Sequence, residues 1–72
     1  MTRIAFQLDP GRDHVELNQL LKLTGLCDSG GAGKALVASG SVSVDGELEL
    51  RKTRKVRAGE RVTLGDTEII VS

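Results

Sequence analysis

Between residues 51 and 57 the chain reads Arg-Lys-Thr-Arg-Lys-Val-Arg, five cations in seven positions with no acid among them. Cations held together against their own repulsion suit a ligand that carries repeated negative charge. The phosphates of a nucleic acid are the commonest such ligand. Arg51, Lys52, Arg54, Lys55 and Arg57 are therefore the first candidates for a binding surface. The plainer reading is a solubilising face, but such faces usually intersperse both signs of charge.

A second candidate is Ser29-Gly-Gly-Ala-Gly-Lys34. A nucleotide-binding phosphate loop needs Gly, four residues, then Gly-Lys-Ser/Thr. Counting back from Gly33-Lys34 places Asp28 where the first glycine belongs, and Ala35 stands where the magnesium-binding hydroxyl should be. A weaker reading survives, in which Ser29 caps a helix whose free N–H groups near Gly30 could hold a phosphate oxygen while Lys34 adds a charge. The plain alternative is that Ser29 caps a helix and nothing more.

Catalysis finds no footing. His14 is the single histidine, and no second His, Cys or carboxylate stands at metal-ligand spacing from it, so no metal site is expected. Cys27 is the single cysteine, which excludes an internal disulfide; a small apolar packing role suits it better than nucleophilic chemistry. Glu47 and Glu49 resemble paired catalytic carboxylates, but alternation on the exposed face of a strand explains them more simply. Glu49 and Arg51 share that face and are expected to pair. No nucleophile–base pair or cofactor motif is present, so the chain reads as a non-enzyme without a cofactor or small-molecule substrate.

Composition agrees. The chain has 72 residues, one small domain over 1–72 with 39% hydrophobic residues and a formal net charge of zero. That neutrality is uneven. Residues 1–50 carry four basic and seven acidic side chains, whereas residues 51–72 carry six basic and three acidic ones. Such a dipolar chain presents a positive face to an acidic partner. There is no Trp and no Tyr, and Phe6 belongs to a core pattern, so stacking platforms for single-stranded bases are missing. A nucleic-acid partner would be read by backbone and shape, which favours folded or double-helical RNA. One cysteine, no apolar leader and no membrane-length apolar run lead to the expectation of a soluble, cytoplasmic protein that does not engage a membrane.

These residues must be held by something. Ile4, Phe6 and Leu8 alternate with Arg3, Ala5 and Gln7, which predicts a strand over 3–8 that Pro10-Gly11 ends. Asp13 and Glu16 have capping-box spacing, and Val15, Leu17, Leu20, Leu21 and Thr24 form a stripe, predicting a helix over about 14–24 closed by Gly25. A second helix over about 30–39 would follow Ser29, with Ala32, Ala35, Leu36 and Ser39 on its packed side. Three glycines in its first turn weaken it, which suggests that something approaches this backbone closely. Asp45-Gly46 predicts a type I′ hairpin between Val42/Val44 and Leu48/Leu50. Gly65-Asp66 predicts another between Val62/Leu64 and Ile69/Val71. The order β-α-α-β-β-β-β makes an α+β fold, two packed helices against a small, mostly antiparallel sheet. If the strand of Leu48 and Leu50 ran on, Lys52 and Arg54 would enter the core, so residues 52–55 are expected to form an exposed loop.

Residues 17–62 resemble the RNA-binding domain first described in bacterial ribosomal protein S-four, the αL motif. The resemblance rests on Leu20-Leu21, Gly25, Ser29, Lys34, the Gly40-x-Val42-x-Val44-Asp45-Gly46 hairpin, Arg51, Lys55, Gly59 and Val62. With nothing appended, the chain is similar to the small stand-alone bacterial members. The resemblance implies binding of structured RNA, ribosomal or transfer RNA, with the ribosome as a candidate assembly. Carried onto this sequence, the contacts would be Ser29, Gly30, Lys34, Arg51, Lys52, Arg54 and Lys55. Gly33 stands where the family usually has Ala and Gly30 where many members carry Arg, which shifts weight from the helix to the loop. Asp45 replaces the commoner Asn and serves the same turn. The rival reading is a protein–protein adaptor whose basic loop docks an acidic surface. A monomer is expected in either case.

Overall fold

All 72 residues are described by the computed structural model. In chain order they form β1 (Thr2–Phe6), β2 (Val15–Glu16), α1 (Leu17–Leu23), α2 (Gly30–Ala38), β3 (Val42–Val44), β4 (Glu47–Leu48), β5 (Lys55–Val56), β6 (Arg61–Leu64) and β7 (Thr67–Val71). Five strands make one sheet in the order β1-β7-β6-β3-β4, antiparallel except for the parallel β1–β7 pair at one edge. Strands β2 and β5 pair separately. The expected α+β class, with two packed helices against a mostly antiparallel sheet, is the fold observed.

The core lies between the helices and one face of the sheet. Leu17, Leu20 and Leu21 from α1 and Val37 from α2 meet Val42, Val44, Val62, Ile69 and Val71. Each fully buried leucine stabilises the fold by roughly 1.5–3 kcal/mol relative to an exposed one. Both hairpins have two-residue turns. Asp45 and Gly46 both take positive φ, 51° and 84°, as a type I′ turn requires.

Turn length explains one reversal of the sequence reading. A two-residue turn places Val44 opposite Glu47, and Glu49 N–H donates to Val42 O at 3.0 Å. Cross-strand partners share a face, so the glutamates lie on the core side of β3 and the leucines do not. Glu49 is accordingly buried, while Leu48 and Leu50 are 60% and 56% exposed. In the second hairpin the same geometry sets Val62 opposite Ile69, and there the apolar residues do face inward.

Helix boundaries differ as well. The first helix starts at Leu17, three residues later than its periodicity predicts, because Val15 and Glu16 are drawn into pairing with Val56 and Lys55. Asp13 is not its cap, and Glu16, at the cap position, offers no side-chain hydrogen bond. At its other end Thr24 Oγ1 donates to Leu20 O and Gly25 takes φ 81°, the expected close. The second helix begins as predicted, with Ser29 Oγ accepting from Ala32 N–H at 3.0 Å. Its buried side, however, carries Gly33 and Val37, whereas Ala35 and Ser39 are exposed. The cause is close approach: a Cβ on Gly33 would lie 2.5 Å from Asn18 O, so glycine alone lets α2 rest on the backbone of α1.

Candidate nucleic-acid interface

The basic segment is fastened to the start of α1. A helix leaves its first N–H groups without intrahelical partners. Here Leu17 N–H donates to Arg54 O at 2.8 Å and Asn18 N–H to Lys52 O at 3.1 Å. The loop's carbonyls therefore replace the side-chain cap that Asp13 was expected to supply. The β2–β5 pairing, Val15 with Val56 and Glu16 with Lys55, completes the attachment. Val56 is fully buried and anchors the segment in the core, while Lys52 and Lys55 remain exposed.

Asn18 joins this loop to the second helix. Its side-chain amide donates to Gly30 O at 3.4 Å, and its backbone lies beneath Gly33. Gly30 thus stands across Asn18 from Lys52, with Ser29 before it and the exposed Lys34 one turn further along α2. Asn18 was missed from the sequence. Its one signal there is a polar amide within the Leu17, Leu20, Leu21 stripe, and in the fold that amide is nearly fully buried.

The cations differ sharply in their surroundings. Arg51 is 75% exposed by side chain yet bidentate to Glu49, with Nε 3.0 Å from Oε2 and Nη2 2.9 Å from Oε1. That pair was legible in the sequence. Arg54, expected in an exposed loop, has a side chain only 23% exposed. Its Nε lies 2.9 Å from Glu49 Oε1 and its Nη2 donates to Glu60 Oε2 at 2.8 Å. Arg57 is open to solvent, 3.6 Å from the exposed Asp13, while its backbone N–H donates to Glu60 Oε1. Lys52 and Lys55 have no carboxylate partner.

The surface is therefore positive but not uncompensated. Three acids, Asp13, Glu49 and Glu60, stand against its five cations. The hydrogen bonds from Arg51 draw the Glu49 carboxyl from 4.5 to about 2, overcoming the opposing effect of burial. Arg54 lowers Glu60 in the same way, and the Glu49 pair raises Arg51. Asp13 is lowered chiefly by its hydrogen bond with His14, whose Nδ1 lies 2.7 Å away. All these carboxylates are ionised at neutral pH. Arg51, Arg54, Lys55, Arg57, Ala58 and Glu60 line an open groove of about 560 Å³. It offers positive charge to a broad, shallow ligand and has no enclosed interior in which a reacting group could be desolvated.

Comparison with known proteins places this geometry. Residues 7–72 match the model of the S4 domain. The YbcJ proteins of Escherichia coli K12 and Shigella flexneri are each 45% identical over 58 residues, covering 81% of this chain and 83% of theirs. The solution structure of Escherichia coli YbcJ, which contains an αL motif involved in RNA binding, superposes with a TM-score of 0.66. It is 40% identical and covers 92% of this chain and 85% of the YbcJ chain. With so much of the chain matched in sequence and in fold, this protein belongs to the S4 domain family.

Proposed function

We propose that the chain is a non-catalytic binder of structured RNA, ribosomal or transfer RNA, that holds phosphates on the loop of residues 51–57 and the adjoining start of α2. One observation carries this reading. The loop is clipped by Leu17 and Asn18 to the start of α1, so Lys52, Lys55 and Arg57 are displayed from a fixed backbone rather than on a free tether. The αL motif of YbcJ, involved in RNA binding, supports it. Arg51, Lys52, Lys55 and Arg57 would meet phosphates, with Lys34 and the N–H groups near Ser29 and Gly30 at the edge. Arg54 acts differently, as the positioning residue that ties the loop to Glu49 and Glu60.

The test replaces the two cations that have no acid partner. Lys52→Gln with Lys55→Gln should lower affinity for a structured RNA at least about tenfold while leaving the thermal midpoint near that of the parent, since neither side chain has a carboxylate partner and glutamine sets no second carboxylate opposite Glu16. In the parent, about three or four neutralised phosphates should give a log K against log salt slope of about −3. Binding indifferent to salt, or unchanged in the double variant, refutes the proposal.

A further inference from the structure

We propose that the cleft between the end of β1 and α1 receives one unpaired nucleobase of the bound RNA, with guanine the best match. The inference rests on the RNA-binding reading above but concerns a separate part of the surface. The cleft has a volume of about 350 Å³, near the lower end of small-ligand sites. Phe6, Leu8, Val15 and Leu23 form its apolar wall. Leu23 is 59% exposed, although the other three leucines of its helix are fully buried. An apolar side chain left in water beside the only aromatic residue of the chain suits a flat ligand with apolar faces.

The polar groups around that wall decide what kind of flat ligand fits. Asp9, Arg12, His14, Glu16 and Gln19 border it. The two carboxylates only accept hydrogen bonds, whereas Arg12, Gln19 and the His14 ring can donate, so the best occupant presents donors and an acceptor along one edge. Guanine does so, with N1–H and the exocyclic N2 amine side by side and O6 next to them. Two acids against Arg12 also repel a phosphate, which keeps the sugar–phosphate chain outside while the base enters.

The chain has somewhere to run once outside. Glu16 is opposite Lys55 in the β2–β5 register, and Asp13, beside the cleft residues, is paired with Arg57. On the other side, Gln19 borders the helix pair, since a Cβ on Gly30 would lie 2.8 Å from Gln19 Nε2. The cleft thus adjoins the basic loop through Glu16 and reaches the start of α2 through Gln19. The absence of Trp and Tyr argued against reading splayed bases, but the fold places Phe6 where one base can lie against it.

Guanosine monophosphate and ribose 5-phosphate, titrated into the ¹⁵N-labelled full chain, test this directly. The nucleotide should give saturable shifts at Phe6, Leu8, Gln19 and Leu23 that ribose phosphate does not. An RNA hairpin with one bulged guanosine should bind about tenfold tighter than its fully paired counterpart. Gln19→Ala with Leu23→Ala should erase that preference while keeping affinity for the paired hairpin. Phe6 is left intact because it packs against the core. A paired hairpin that shifts the basic loop while guanosine and the bulge leave the cleft silent overturns this inference and leaves the RNA-binding reading standing. Guanosine shifts in the cleft with no salt-dependent binding of either hairpin would do the reverse. A cleft that responds to an amphipathic peptide and to neither nucleotide probe also overturns it.

Discussion

Replacing Glu49 with Gln separates the two tasks of the acids beneath the basic loop. Glu49 accepts hydrogen bonds from the backbone N–H, Nε and Nη2 of Arg51 and lies 2.9 Å from Arg54 Nε. A carboxyl drawn from 4.5 to about 2 corresponds to a ceiling of roughly 3 kcal/mol of folding stability. Arg51 is mostly in water, and its arginine partners shield Glu49 more than any depth of protein does, so screening reduces this to about 1–2 kcal/mol. The sign follows from the folded value lying below the unfolded one. The stabilisation is fully present above about pH 5 and is lost as pH falls toward 2. Urea denaturation should therefore show Glu49→Gln about 1–2 kcal/mol less stable than the parent at pH 7, with the gap closing near pH 2.5. RNA binding should move the other way. One acid fewer leaves two against five cations, so the variant should bind RNA more tightly, with a salt slope steeper by up to about one. A variant as stable as the parent at pH 7, or one that binds RNA more weakly with a shallower slope, would refute the reasoning.

Three further outcomes test the helices that carry the surface. Gly33→Ala should destabilise the protein by about 1–3 kcal/mol in spite of alanine's better helix propensity, because its Cβ would meet Asn18 O at 2.5 Å. Gly31→Ala, whose nearest neighbour would be Ser29 Oγ at 3.8 Å, should raise the thermal midpoint through a gain of about 0.5–1 kcal/mol. Ser29→Ala removes the acceptor for Ala32 N–H and should cost about 1 kcal/mol in the same melts. If Gly33→Ala and Gly31→Ala behave alike, the close helix contact is not what holds α2 in place.

The glycines illustrate how function and packing can be confused in a sequence. Three of them in the first turn of α2 suggested that something comes close to this backbone, and a ligand phosphate was one candidate. At Gly33 the close neighbour is Asn18 of the preceding helix, so this glycine serves packing. Gly30 differs. A Cβ there would meet side-chain ends alone, Gln19 Nε2 at 2.8 Å and Asn18 Nδ2 at 3.4 Å, so a larger residue at this position calls for a side-chain shift rather than a backbone one.

Local chemistry was enough to read the elements whose signals lie within a few residues. Ser29 as a cap, Gly25 as a helix close, the two-residue turn at Asp45-Gly46 and the Glu49–Arg51 pair all follow from neighbours in the chain. The register of β4 was not read correctly, although the same two-residue turn fixes which residues oppose each other, because the alternating leucines pointed to the opposite face. Other features depended on residues distant in the chain. The start of α1 is set by carbonyls of Lys52 and Arg54, and the inward turn of Arg54 by Glu60 as well as Glu49. A run of cations uninterrupted by acids therefore said where positive charge would gather, because charge belongs to the side chains themselves. How much of it stays free was decided by folding, because a buried carboxylate neutralises whichever cation the tertiary structure brings within about 3 Å.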